Sequence, residues 1–247
     1  MNVEYHSWWS PSLGQQMELK VYGWYGKPVL VFPAQGGRFF DFENFGMVAC
    51  IEHLIEAGKV KLFTVDSVDN QSWSNWGAHP ADRALRHEAY DAYITTEVAP
   101  FMRTHCGETE QKFLTHGCSM GAYHAANFFF RHPNLFDSVI ALSGLYQLGM
   151  FVGDYMDELV YLNSPLHYLP NLKDPWYLSQ YRHSRIIICC GQGAWEDEML
   201  HDTRQLKGVL EGLQVPAWVD LWDHDVNHDW PWWQRMLPYF LEACDWE

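Results

Sequence analysis

The sequence predicts an α/β domain with a mainly parallel central sheet and helices on both faces. Three observations point to it: short unbroken apolar runs, helical-period segments alternating with them, and no repeat, linker or composition shift to divide the 247 residues. Runs such as Val29-Leu30-Val31-Phe32 suit a strand covered on both faces, because a half-solvated strand alternates apolar with polar. Strands that alternate with helices become parallel neighbours through crossover connections. One domain over 1–247 is expected, with ample length for a buried core.

Met17 to Tyr22 and Pro28 to Phe32 read as the first two strands, around a turn at Gly23 to Lys27. Asp41 to Gly58 has helical spacing and ends on glycine. Val60 to Val65 is a strand, and Ala81 to Cys106 a long helix opening behind His79-Pro80, since proline suits a first helical turn. Strand Lys112 to Thr115, helix Ser119 to His132 and strand Ser138 to Leu142 follow. Gly149 to Ser179 is irregular and rich in Tyr, Leu, Asn and Pro, which suits an excursion or lid carrying part of a pocket. Arg185 to Cys190, His201 to Gly212, Trp218 to Trp222 and Trp232 to Cys244 complete the chain as strand, helix, strand, helix.

Composition narrows the function. A net charge of −15 repels nucleic acid and anionic lipid headgroups, so neither partner is expected. No apolar stretch approaches the roughly 18 residues that cross a bilayer, and Met1 to Leu13 lacks a basic segment followed by an apolar run, so no export signal is expected. Six cysteines without a C-x-x-C pair suit reduced thiols in the cytoplasm. Aromatic content of 16%, with 13 Trp, hints at a concave apolar site. Homo-oligomerisation is left open.

The chemistry centres on Gly117-Cys118-Ser119-Met120-Gly121, between an apolar strand and a helix, where a G-x-S-x-G nucleophile elbow has to lie. Such a turn forces the serine into a strained backbone conformation, and side chains two residues to either side would collide, hence the glycines. The hydroxyl then stands at a helix N-terminus, where backbone N–H groups can hold an oxyanion, Met120 N–H first among them. A second donor should come from the loop Val31 to Arg38, with Gln35 N–H the candidate.

Serine at its free pKa is a poor nucleophile, so a histidine base and a carboxylate should follow in the order Ser, acid, His. Glu196, Asp197 and Glu198 lie just beyond the strand Arg185 to Cys190; Asp197 is the expected acid and Glu196 the alternative. After the strand Trp218 to Trp222, His224 and His228 compete as base, and His228 is favoured because it directly precedes the aromatic start of the last helix. His116 and His124, beside the elbow, read as core, capping or surface residues. Asp220 to Asp229 is dense in oxygen and imidazole groups but lacks H-E-x-x-H or another fixed spacing, so no metal is expected there. Gly36-Gly37 fits neither dinucleotide nor P-loop spacing, and no cofactor is expected.

The elbow, the run Arg131 to Asp137 leading into Ala141-Leu142-Ser143-Gly144, and the terminal His228-Asp229-Trp230-Pro231-Trp232-Trp233 together resemble the Putative esterase family of α/β-hydrolases. That family includes S-formylglutathione hydrolases, feruloyl and related carbohydrate esterases, and mycolyltransferases. The similarity runs from about Val29 to Leu241. It implies an α/β-hydrolase fold, Ser119 as nucleophile, Asp197 as acid, His228 as base, Gln35 and Met120 as oxyanion donors, and a small-molecule ester as substrate. Two departures stand out: Pro33-Ala34-Gln35-Gly36-Gly37 replaces the His-Gly-x-Gly-Gly of many relatives, and the acid loop carries three consecutive acids. The expected activity is a cofactor-free carboxylesterase working through an acyl-enzyme. An acyltransferase with the same triad, or a non-catalytic member of the fold that binds a ligand or partner through its aromatic surface, are the alternatives.

Overall fold

The computed structural model describes residues 1–108 and 110–246. Eight strands form one sheet: β1 (Val3–Ser10), β2 (Gln15–Tyr22), β3 (Lys27–Phe32), β4 (Val60–Val65), β5 (Phe113–Cys118), β6 (Phe136–Leu142), β7 (Arg185–Cys190) and β8 (Trp218–Leu221), ordered β1-β2-β4-β3-β5-β6-β7-β8. β1 and β2 are an antiparallel hairpin set antiparallel on β4, and every pairing from β4 to β8 is parallel. The chain therefore adopts the mainly parallel α/β architecture that its apolar runs predict. β1 has no counterpart among the expected strands: its exposed and half-buried residues alternate, with Glu4, His6 and Ser7 between aromatic ones, so no apolar run marks it.

The helices are α1 (Asp41–Asn44), α2 (Met47–Cys50), α3 (Glu52–Glu56), α4 (Pro80–Tyr93), α5 (Ala99–Cys106), α6 (Met120–Arg131), α7 (Gly149–Val152), α8 (Glu158–Leu162), α9 (Pro165–Tyr168), α10 (Pro175–Arg182), α11 (Asp197–Gly212) and α12 (Trp230–Glu242). The single helix expected over Asp41 to Gly58 is three short ones, because Gly46 takes a left-handed φ of 75° and Ile51 leaves helical geometry at φ −121°, ψ 13°. α4 and α5 run on through a wide π turn at Ile94–Val98. That turn precedes Pro100, which has no N–H to give to a regular ladder. It also presents Glu97, whose carboxylate accepts from Trp8 Nε1, Ser10 Oγ and Ser12 N at 2.9, 2.8 and 3.1 Å, docking the amino-terminal hairpin on the helix.

The two cores follow from strand period. Leu30, Phe32, Val139, Ala141, Ile186 and Ile188 face α4, α5, α6 and α11; Val29, Val31, Ile140, Leu142, Ile187 and Cys189 face α1 to α3 and α12. Alternate residues of one strand point to opposite faces, so a strand between two helical layers must be apolar throughout. A third cluster, around Trp73, Met120, Tyr123, Leu148 and Phe151, roots the segment carrying α7 and α8. Arg83, buried on α4, ties it down by donating from Nη1 to the carbonyls of Trp73 at 3.2 Å and Phe151 at 2.8 Å. β4 follows β3 on one side and β5 pairs with its other side, so the loops leaving β3 and β5 part and open a crevice at the carboxyl end of the sheet. No helix among the described residues is long and apolar enough to cross a membrane.

Candidate active site

Ser119 stands where β5 gives way to α6, at φ 58° and ψ −124°, a conformation that costs a non-glycine residue of order 1 kcal/mol or more. Its N–H donates to Leu142 O at 2.9 Å, pinning the turn to β6. The flanking glycines are required by contact distance rather than by φ. A Cβ on Gly117 would fall 2.3 Å from the carbonyl of Gly121, and one on Gly121 would fall 2.4 Å from Phe32 O. The elbow is thus wedged against the end of β3, which brings the Pro33 to Gly37 loop beside it.

The imidazole of His228 reaches this hydroxyl from the loop between β8 and α12. Its Nε2 lies 2.9 Å from Ser119 Oγ, and its Nδ1 lies 3.1 Å from Glu196 Oε2. With Nδ1–H donating to the carboxylate, Nε2 is left to accept from the serine. The carboxylate against the ring is therefore that of Glu196, fully buried, and the expectation of Asp197 is corrected. Asp197 is exposed and opens α11 with Glu198, where acidic side chains complement the positive end of the helix dipole. The reason for the shift is backbone geometry: Trp195 adopts a left-handed φ of 68°, which swings the next residue inward. His224 lies exposed in a turn, with no contact to Ser119.

Three residues that sequence reasoning did not single out complete the setting. Ser143, buried and at φ 55°, donates its hydroxyl to Glu196 Oε1 at 2.6 Å. Trp233 Nε1 donates to Ser143 Oγ at 3.0 Å, while the Trp233 ring meets the His228 ring edge-on at 4.9 Å and 88°. Asn227 Oδ1 accepts from Ala194 N at 2.7 Å, and with Gly193 N donating to Val226 O at 2.8 Å and His228 N to Ala194 O at 3.0 Å it laces the acid loop to the base loop. Ser143 lies in the Ala141 to Gly144 stretch that carries the family resemblance, but nothing in a serine's neighbours tells of a positive φ.

Gln35, Met120, Ser119 and His228 all line one cavity of about 180 Å³, whose remaining wall is largely apolar, with Leu145, Phe151 and Met199. The Gln35 side chain is held by Nε2 donating to Ser74 Oγ at 2.9 Å, and Gly36 N reaches Asp69 Oδ2 at 3.3 Å, so the loop after β3 is fixed at two successive residues. Larger cavities of about 670 and 620 Å³ lie at the start of β7 and beside α9 and α10, and neither touches the elbow. Position relative to Ser119 and His228, rather than size, marks the candidate site. Burial pushes the Cys118 thiol, next to Ser119, well above its ordinary range, and it does the same to Cys190 Sγ, 3.4 Å from Glu196 Oε2. Both are held as neutral thiols.

The sheet order, the strained serine at the strand-to-helix turn and the imidazole against it define an α/β-hydrolase. Solved structures agree on that fold: a ferulic acid esterase is 17% identical with TM-score 0.77, covering 98% of this chain and 97% of that one. An S-formylglutathione hydrolase from Agrobacterium tumefaciens is 14% identical at TM-score 0.72, covering 99% and 95%. MPT51 of Mycobacterium tuberculosis is 13% identical at TM-score 0.70, covering 98% and 97%. No curated protein matches the chain in sequence. Residues 10–242 match the family described as Putative esterase, and the chain belongs to that family.

Proposed function

We propose that this protein is a serine carboxylesterase that works through an acyl-enzyme, with Ser119, His228 and Glu196 as its triad. The observation that carries the reading is the unbroken line from Ser119 Oγ through His228 to Glu196, at 2.9 and 3.1 Å, opening on a cavity. In the first step His228 Nε2 takes the hydroxyl proton as Oγ attacks the ester carbonyl, and the backbone N–H groups of Gln35 and Met120 stabilise the oxyanion. The imidazolium then protonates the leaving alcohol, which departs and leaves the acyl group on Ser119. Water repeats the sequence, giving its proton to Nε2, and the second tetrahedral intermediate collapses to release the acid and restore the hydroxyl. Glu196 holds the imidazole in its tautomer and stabilises its positive charge.

A cavity of about 180 Å³ is smaller than the roughly 300 Å³ from which drug-sized sites start, so the acyl or leaving group it takes is small. Met150 and Phe151 lie on that wall and belong to the 149–179 excursion, which we read as a lid on a single-domain scaffold. All six cysteines are unpaired, which supports a reducing, cytoplasmic setting.

The test is covalent labelling by a fluorophosphonate probe together with turnover of a panel of acyl esters varied in chain length and leaving group. Labelling and short-chain turnover, both abolished in Ser119→Ala, are expected. A folded protein that neither labels nor hydrolyses any ester would sink the reading in favour of ligand binding. Product partition with added alcohol acceptors separates hydrolysis from acyl transfer.

A further inference from the structure

We propose that Glu4, His6 and His105 form a binding site for one zinc-class divalent cation, fastening the edge strand β1 to the end of α5. Among the described residues this is the one group of three metal-competent side chains whose ligand atoms all lie within 4.8 Å of one another. Glu4 Oε2 is 3.1 Å from His6 Nε2 and 3.0 Å from His105 Nε2. Tetrahedral zinc, with bonds of roughly 2.0–2.2 Å to nitrogen and oxygen, sets neighbouring ligand atoms about 3.3 Å apart. The two carboxylate-to-imidazole spacings are already near that value, and the two imidazole nitrogens, within 4.8 Å of each other, would draw together on a shared cation.

The placement is dictated by the fold. Strand period puts Glu4 and His6 on the same, half-buried face of β1. His105 arrives from the last turn of α5, a helix that shares a continuous axis with the π turn whose Glu97 already anchors the same hairpin. Each imidazole is held by aromatic neighbours: the Phe101 ring lies 4.9 Å from His6 and 5.5 Å from His105, and Phe63 lies 5.6 Å from His105. Asn2 Nδ2 donates to Glu4 Oε1 at 2.7 Å, the kind of outer partner that orients a ligating carboxylate and leaves Oε2 for the cation.

Two imidazoles converge through the same nitrogen on one oxygen. One cation set between the two Nε2 atoms and Oε2 would be ligated by all three at once. The donor set of two imidazoles and a carboxylate suits zinc, with water as fourth ligand, and does not suit magnesium or calcium, which take oxygen donors. β2, β4 and β3 separate β1 from β5, so the cation would brace the sheet edge and take no part at Ser119.

The test uses the full chain without an affinity tag, stripped with a chelator and titrated with zinc chloride by calorimetry, with thermal unfolding followed in parallel. One equivalent is expected to bind at micromolar Kd or tighter, raising Tm, with no response to magnesium; cobalt(II) should show the visible absorption of a tetrahedral site. His6→Asn and Glu4→Gln should each weaken binding by more than about 100-fold, and Ser119→Ala by nothing. His105→Ala removes a ring packed on Phe63 and can unfold the edge, so the more exposed His6 carries the test. Absence of saturable uptake below about 1 mM zinc, or uptake of unchanged strength in a folded Glu4→Gln/His6→Asn double variant, overturns the proposal.

Discussion

Two imidazole–carboxylate pairs are built around the elbow, His228 with Glu196 and His124 with Asp69, and they differ in what the second ring nitrogen meets. His124 lies on α6, five residues beyond Ser119 at the turn that opens that helix, yet its Nε2 lies 2.8 Å from Asp69 Oδ1 and its Nδ1 is buried without a partner among the described residues. Phe32, Tyr90, Tyr123, His87 and Phe128 enclose it. His228 is 109 residues away, and its Nε2 faces a hydroxyl that opens on a cavity. The same chemical pair is cross-bracing in one place and, in the proposed mechanism, a proton acceptor in the other. Access of the free nitrogen to a reacting group decides the role, and distance along the chain does not.

The largest effect that sharpens this contrast is expected at the acid. Glu196→Gln should lower kcat roughly 10⁴-fold, about 5.5 kcal/mol of transition-state stabilisation, by favouring the wrong tautomer of His228. Asp197→Asn should leave kcat within about twofold and cost no more than about 1 kcal/mol of helix-dipole energy. Steady-state kinetics on the two variants decide between the acids, and equal losses would return Asp197 to the triad.

Next in size is the bracing pair. His124→Phe fills the space but leaves the Asp69 carboxylate buried with only Gly36 N, and should cost about 3–5 kcal/mol in denaturant unfolding. The folded fraction should keep its kcat. A kinetic loss comparable to that of Glu196→Gln would dissolve the distinction between the two pairs.

A third expectation concerns acid. Burial pushes the His116 imidazole down from 6.5 to about 4, so the folded protein keeps the ring neutral where the unfolded chain protonates it. Above about pH 6.5 the ring carries no proton-linked cost; below it the unfolded chain takes up a proton that the folded one does not, and the loss of stability grows to about 3 kcal/mol as pH falls to about 4. His116→Leu, which removes the titrating ring, should flatten the fall of unfolding midpoint between pH 7 and 4 relative to the parent; parallel curves would count against it.

A smaller kinetic loss than that of Glu196→Gln is expected at Ser143. Ser143→Ala removes the donor to Glu196 Oε1 and should lower kcat about tenfold, near 1.4 kcal/mol, with KM little changed.

How far the sequence could be read follows from how local each signal is. The elbow was legible because Gly117 and Gly121 are demanded by contacts within one turn and one neighbouring strand. The central strands were legible because burial on both faces leaves an unbroken apolar run, and β1 was not, because an edge strand with half-exposed residues carries none. Of the two carboxylates offered, Asp197 was preferred and Glu196, the alternative, is the one against His228; that loop's register turns on the positive φ of Trp195, a conformation that tryptophan does not announce. Ser143 and the lacing by Asn227 depend on tertiary neighbours from β7 and α12, beyond any local pattern.

That lacing has a mechanical corollary. Because Gly193, Ala194, Val226, Asn227 and His228 are stitched across the two loops, thermal breathing at that end of the sheet must carry proton acceptor and counter-charge together, as one rigid jaw. The wedged turn under Ser119 is bonded to the end of β6 at Leu142, and the next residue, Ser143, grips Glu196, so the same strand end ties the hydroxyl to the two stitched loops.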